Sequence, residues 1–239
     1  MSPGEAITQG QLGALTQLDC IEAGVQSLTG LDAATGLTWL SLPMNQIVDV
    51  SPLARLTTLT WLNLGGNQIV DASPLAGLTK LPKLWLSGNE IADISPLANL
   101  TKLTSLGLDG DPIGDLSPLG GLTNLTGLEL GSDQIVDLAP LAGLAKLVSL
   151  QIRGSQIADV SPLSGLTRLT NLTLSSSQIV DVSPLAGLLN LTWLDLSSNH
   201  IVDVSPLAGL INLKDLLLSG NPVTDLSPLE GLDSTNIHA

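Results

Sequence analysis

Phenylalanine and tyrosine are absent from this chain, tryptophan occurs four times and cysteine once. A hydrophobic core must therefore be built from Leu, Ile, Val, Ala and Pro, and each Trp position becomes informative. The single thiol, Cys20, excludes an intramolecular disulfide framework. It stands in the column of Leu42 and Leu64, as a packing residue rather than a nucleophile. Basic residues are scarce too, eight Lys and Arg against 22 Asp and Glu. Nucleic acid and anionic membranes need basic stripes. Four of the eight, Lys80, Lys102, Lys146 and Arg168, instead recur in one column expected at a solvated edge. Neither nucleic acid nor membrane insertion is expected, since no run approaches the ~18 apolar residues of a span. The opening Met-Ser-Pro-Gly-Glu lacks a basic, apolar secretion signal. The chain is expected to be secreted or at the cell surface if a leader was removed, and cytoplasmic otherwise.

Catalytic hardware is equally sparse. His200 and His238 are the only histidines, and no G-x-S-x-G, H-E-x-x-H or phosphate-binding Gly-rich loop occurs. An enzyme needs convergent groups with tuned pKa values, so no catalytic activity and no cofactor are expected.

What the chain has is a period. Leu37, Leu59, Leu81, Leu103, Leu125, Leu147, Leu169, Leu191 and Leu213 follow at steps of 22 residues, and Leu15 begins a degenerate tenth copy. With 44% apolar and 13% charged residues the copies can share a continuous core. One copy reads Leu59, Leu62, Leu64, Asn67, Ile69, then Asp71, Ser73, Pro74, Leu75 and Leu78. Alternation at Leu62 and Leu64 predicts a short strand centred on 61–64, repeated at each step. Such strands are stable only when stacked in parallel at ~4.8 Å. Ser and Pro suit an N-cap and a first helical position, so each Ser-Pro-Leu is expected to open a short turn on the other side. The Asp two residues before each Ser is expected to brace that turn. Nine acids sit in this column, from Asp49 to Asp225, and removing them from the net charge of −14 leaves −5. Most of the acidity is thus architectural.

The LxxLxLxxNxI pattern with xDxSPLxxLxx resembles the leucine-rich repeat, and its 22-residue form resembles bacterial internalin-family repeats and the phosphatase-regulatory class. The resemblance implies an α/β, right-handed solenoid with short parallel strands on the concave face and 3-10 or short α turns on the convex face. Residues 1–14 are expected to form an N-terminal cap segment, with a short helix over Thr8 to Leu15. Residues 15–232 form ten repeats, and 233–239 a C-terminal tail offering no amphipathic cap. An uncovered C-terminal end offers a surface for a homodimer. The resemblance further implies an internal ladder of Asn amides at Asn45, Asn67, Asn89, Asn199 and Asn221, from which four consecutive copies depart with Asp111, Asp133, Ser155 and Ser177. The middle of the ladder should be less well satisfied. Asp109, Asp111 and Asp133 are candidate oxygen ligands for calcium, against a simpler reading of drift filled by water.

All four Trp fall on outward strand positions. Trp39 and Trp61 share a column and Trp85 lies one coil on and two residues across, predicting an aromatic patch edged by Pro43 and Met44. Large apolar patches and Trp mark binding sites; the competing reading is that the rings pack on one another. Lys83, Asp109, Glu129, Arg153, Trp193 and Asp195 complete the candidate face, floored by Gly and Ser that leave room for a partner. A protein partner is the leading expectation, in bacterial adhesion or surface recognition. An intracellular scaffold regulating an enzyme remains an alternative. So do carbohydrate recognition, with Asp109 or Glu129 on hydroxyls, and surface or ice binding through the Thr38, Thr60, Thr104, Thr126, Thr170 and Thr192 column.

Overall fold

The structure is a computed structural model and describes residues 12–232 and 235–239. Eleven short strands form one sheet in chain order. They are β1 (Gln17–Asp19), β2 (Trp39–Ser41), β3 (Trp61–Asn63), β4 (Lys83–Trp85), β5 (Ser105–Asp109), β6 (Gly127–Gly131), β7 (Ser149–Arg153), β8 (Asn171–Ser175), β9 (Trp193–Asp195), β10 (Asp215–Leu217) and β11 (Asn236–His238). Each pairs in parallel with the next; up to β10 the pairing holds the 22-residue register, as in Leu62 against Leu84. The fold is a leucine-rich-repeat solenoid, with 3-10 turns such as Ser73–Gly77 on the side opposite the sheet.

Each inner coil sends seven side chains inward. In the coil of β3 these are Leu59, Leu62, Leu64, Ile69, Ala72, Leu75 and Leu78, all at 1% exposure or less. Inward residues of successive coils join into one core running the length of the solenoid. The first coil has only one neighbour among the described residues, and its Leu15, Leu18 and Cys20 are half-buried. The helix expected over Thr8 to Leu15 lies largely outside the described residues; Leu12 packs against the core from its end. At the other end the tail adds a strand. Asn236–His238 pairs with β10 after a step shortened by one residue, Asp215 opposite Asn236.

The turns correct one expectation. Ser does not cap: wherever Ser-Pro-Leu occurs, Ser is the first residue of the 3-10 turn and the residue before it takes the N-cap position. Instead the Ser donates to the preceding Asp. Asp49 Oδ1 accepts the Ser51 N–H at 2.8 Å and Oδ2 accepts the Ser51 hydroxyl at 3.0 Å. The N–H contact recurs at 2.8 Å in all nine copies, including Asp137 with Ala139, where the hydroxyl is missing. These bonds hold Asp49, Asp93, Asp115, Asp159, Asp203 and Asp225 below the usual carboxylate range.

The Asn ladder is a second, buried set of rungs. Asn67 Oδ1 accepts the Ile47 N–H of the previous coil at 3.0 Å, while Nδ2 donates to Leu42 O at 3.0 Å and Leu64 O at 2.8 Å. Asn89 then donates to the same Leu64 carbonyl at 3.1 Å. Two amides thus occupy one strand-end carbonyl. Where Asn is missing the strand is longer: β5 to β8, in the coils of Asp111, Asp133, Ser155 and Ser177, have five residues, and β2 to β4, β9 and β10 have three. With no amide donor on the Leu108, Leu130 and Ile152 carbonyls, these stay available to the sheet, and pairing extends to Asp109 opposite Gly131 and Arg153 opposite Ser175; at Leu174 the Asn199 amide returns, and β8 pairs with β9 only as far as Thr173.

The four departures settle differently. Asp133 turns out to solvent. Ser155 and Ser177, both buried, bond to each other at 2.7 Å. Asp111 stays inside at 1% exposure. Its Oδ1 accepts the Ile91 N–H, but Oδ2, where an Asn would donate, has no partner. Burial, with the nearby Asp109 carboxylate adding, pushes Asp111 up to about 7.

Two predictions follow. Asn67→Ala leaves the buried Ile47 N–H without a partner and takes one of two amide donors from the Leu42 and Leu64 carbonyls, and should cost ~1–3 kcal/mol in a denaturant titration, Ser155→Ala less; equal losses would mean that the substituted coils are not weak points. Asp111 binds a proton in the folded state that the unfolded chain releases near pH 4, so its contribution to stability falls as pH rises from about 4 to about 7. Asp111→Asn should therefore stabilise by ~1–3 kcal/mol at pH 8, with the gain shrinking toward pH 4.5. The lowered Asp column acts in the opposite direction, losing its support only as pH falls below about 4. A gain for Asp111→Asn that is the same at both pH values would show that Oδ2 is not the cause.

Candidate functional site

The concave face is the outward side of the sheet, where alternation puts the residues that the core does not use. Trp39 lies opposite Trp61 and Trp85 opposite Asn63, so three rings meet diagonally across three strands. Trp39 and Trp61 are stacked with centroids 6.1 Å apart, and Trp61 and Trp85 lie at 4.2 Å, tilted by 37°. Lys83 Nζ sits 5.3 Å from the Trp61 ring centre, within cation–π range. All three rings are half-buried, and the Trp61 indole N–H is buried without a partner. The rings thus both pack on one another and leave a continuous aromatic surface. Met44, 64% exposed, and half-buried Pro43 follow Trp39 in the same coil.

The glycines on this face serve the chain itself. A Cβ on Gly107 would meet the Trp85 ring at 2.9 Å, and one on Gly131 would overlap the Asp109 carboxylate. Trp85 and Asp109 therefore lie across the glycines opposite them, and room expected for a partner there is filled from within. Asp109 is accordingly half-buried, while Glu129 and Arg153 are exposed.

The three carboxylates considered for calcium do not gather. Asp111 points into the core and Asp133 into solvent, and among the described residues no group of three His, Cys, Asp or Glu could hold a metal ion. The Thr column is likewise spoken for. Thr60 Oγ1 donates to Thr38 O at 3.0 Å, and the same bond recurs at Thr38, Thr104, Thr126 and Thr192, whereas the Thr170 hydroxyl lies closer to Asn171 Oδ1, at 2.7 Å, than to Val148 O, at 3.3 Å. These hydroxyls tie coil to coil, which removes the regular array of free donors that a surface-binding role would use. His200 bonds Gln178 at 2.9 Å on the exposed flank.

Trp193 stands apart. It is the most exposed of the four at 37%, and its register neighbours Asn171 and Asp215 are polar. With Arg153 and Asp195 it borders a cleft of about 290 Å³ over β7 to β9. Sequence reasoning placed these three on the face but did not group them, because Arg153 lies two coils before Trp193 and Asp195. Among the described residues no helix is long and apolar enough to cross a membrane.

Comparison with known proteins agrees with this geometry. The family model for leucine rich repeats, two copies, matches residues 57–99, 79–121 and 189–231. No curated protein matches at significance. Among solved structures, the internalin InlF of Listeria monocytogenes is 38% identical with a TM-score of 0.92, over 98% of this chain and 69% of its own. Internalin C2 of the same organism is 42% identical with a TM-score of 0.78, over 81% of this chain and 85% of its own. The Arabidopsis receptor kinase HAESA ectodomain, solved with a peptide hormone ligand, is 25% identical with a TM-score of 0.67, over 80% of this chain and 35% of its own. With two internalins at this identity and coverage, and the repeat geometry they share, the chain belongs to the internalin family of leucine-rich repeat proteins.

Proposed function

We propose that this chain is a non-catalytic binding module that recognises a protein partner on its concave face, in bacterial adhesion or surface recognition outside the cell. The observation that carries this reading is the Trp39–Trp61–Trp85 stack: three rings on the one face that the core leaves free, with Lys83 over the central ring. Large aromatic surface at the centre of an interface supplies binding energy at little entropic cost, because rings already packed together lose little freedom on docking. The peptide-bound HAESA ectodomain is a repeat of this kind holding a polypeptide ligand.

The stack separates binding from folding. No ring enters the core, so Trp61→Ala should cost only about 1–2 kcal/mol of stability, the loss of ring-on-ring contacts. Partner binding should weaken by ~2 kcal/mol or more if that ring is a hot spot. Cross-linking capture from intact host-cell surfaces, comparing the wild type with the Trp39→Ala, Trp61→Ala, Trp85→Ala triple variant, identifies the partner as the protein lost from the triple variant. Identical capture by both would place the interface elsewhere; a fall in stability above about 3 kcal/mol for Trp61→Ala alone would make the stack a packing element.

A further inference from the structure

The cleft over β7 to β9 is built differently from the aromatic stack. Its floor is polar, from Gln151, Asn171 and Thr173, the last only 5% exposed. Register places Gln151, Thr173 and Asp195 in one row and Asn171 and Trp193 in the row beside it. Arg153 stands at one side; Trp193 and Asp195 stand two strands away, roughly 10 Å at the usual strand spacing. Two of the polar groups, Asp195 and Asn171, are held in place. Asp195 Oδ1 accepts the Ser197 N–H at 2.9 Å and the Ser197 hydroxyl at 2.5 Å, both bonds falling on the same oxygen. The Thr170 hydroxyl, 2.7 Å from Asn171 Oδ1, orients that amide so that Nδ2 is the free end.

We propose that this cleft binds a neutral pyranose ring of a glycan. The indole face of Trp193, with no other ring against it, stacks on the C–H face of the sugar. Asp195 Oδ2 accepts from a hydroxyl on one edge, Arg153 donates to oxygens on the other, and the Asn171 and Gln151 amides supply further donors and acceptors beneath. Each sugar hydroxyl both donates and accepts, which suits a site presenting an anion and a cation on opposite sides with two amides between them. The opposed charges of Arg153 and Asp195 select a neutral ring over a uronate or an amino sugar cation. A peptide side chain would instead need an apolar pocket, and Trp193 is the only apolar residue lining the cleft. The volume lies at the small end of ligand sites, about 300 Å³ and upward, enough for one ring rather than a larger ligand. The site is independent of the Trp39–Trp61–Trp85 stack, since β9 lies five strands from β4, about 24 Å.

The test is saturation-transfer NMR of the full chain with methyl β-glucoside, methyl β-galactoside, methyl α-mannoside and N,N′-diacetylchitobiose, each followed by titration. At least one should bind, with transfer strongest at the ring C–H protons of a single face. Trp193→Ala and Asp195→Ala should each weaken it at least about tenfold, Trp193→Phe should retain most of it, and Trp61→Ala should change it less than about twofold. No binding of any of the four at about 20 mM, near the weak limit of measurable affinity, overturns the proposal. Binding that survives Trp193→Ala in a folded protein overturns it as well, as does preference for a glucuronide over the matching neutral glucoside. Protein-partner capture lost only with the stack residues, and glycan binding lost only with Trp193 and Asp195, would separate the two sites.

Discussion

A coil of this solenoid cannot satisfy its own backbone. Its strand is three to five residues long and can pair with nothing in its own coil, so the strand amides and carbonyls must find partners in the neighbouring coils. Every other feature depends on this constraint. Strand bonds meet it on one side, and the Thr hydroxyls donate to carbonyls one coil back. The Asn amides do the same inside, bridging residues 20 to 25 apart. Because each rung joins neighbours only, stability is a sum of local interfaces, and a weak rung weakens its own junction rather than the whole. Asp111 is such a rung: one oxygen holds its N–H and the other faces no donor.

Repetition also explains which residues can be functional. A column repeated through most coils, whether Asp before the turn or Thr at the strand entrance, is accounted for by the bonds it makes within the solenoid. Its presence requires no ligand. Residues that break their column are different, since the architecture does not demand them. Trp39, Trp61, Trp85, Arg153, Trp193 and Asp195 all stand where other coils carry small or unrelated residues, and all lie on the concave sheet.

The same logic sets how much was legible in the sequence. The period, the inward Leu and Ile, the strand positions and the grouping of three Trp could be read directly, because register at 22 residues fixes who lies beside whom. The Ser of Ser-Pro-Leu was misread as a cap because residue preference names a common role, whereas here an Asp two residues back outcompetes the turn for its hydroxyl. Single events were out of reach. The ring of Trp85 over Gly107, the carboxylate of Asp109 over Gly131, and the one-residue shortening that admits β11 each occur once and depend on side-chain direction rather than on pattern.

The departures from Asn tie the two halves of the structure together. Read along the chain, four missing amides look like decay of the ladder. In the sheet they mark the four coils whose strands continue for two more residues: in three of them no amide occupies the carbonyl that ends the shorter strands, and in the fourth, where Asn199 takes the Leu174 carbonyl, the extra length comes from pairing with β7 alone. That extension brings Arg153 into β7, in register with Ser175, instead of leaving it in a turn. A side chain on a paired strand is held more firmly than one on a loop, and a binding cleft depends on such positioning. Ser155 and Ser177 keep the interior closed behind it by bonding to each other. The loss of internal rungs in coils seven and eight and the cleft on their outer face are therefore two sides of one change: the interior gives up amide bonds, and the sheet above it becomes wide enough to carry a site.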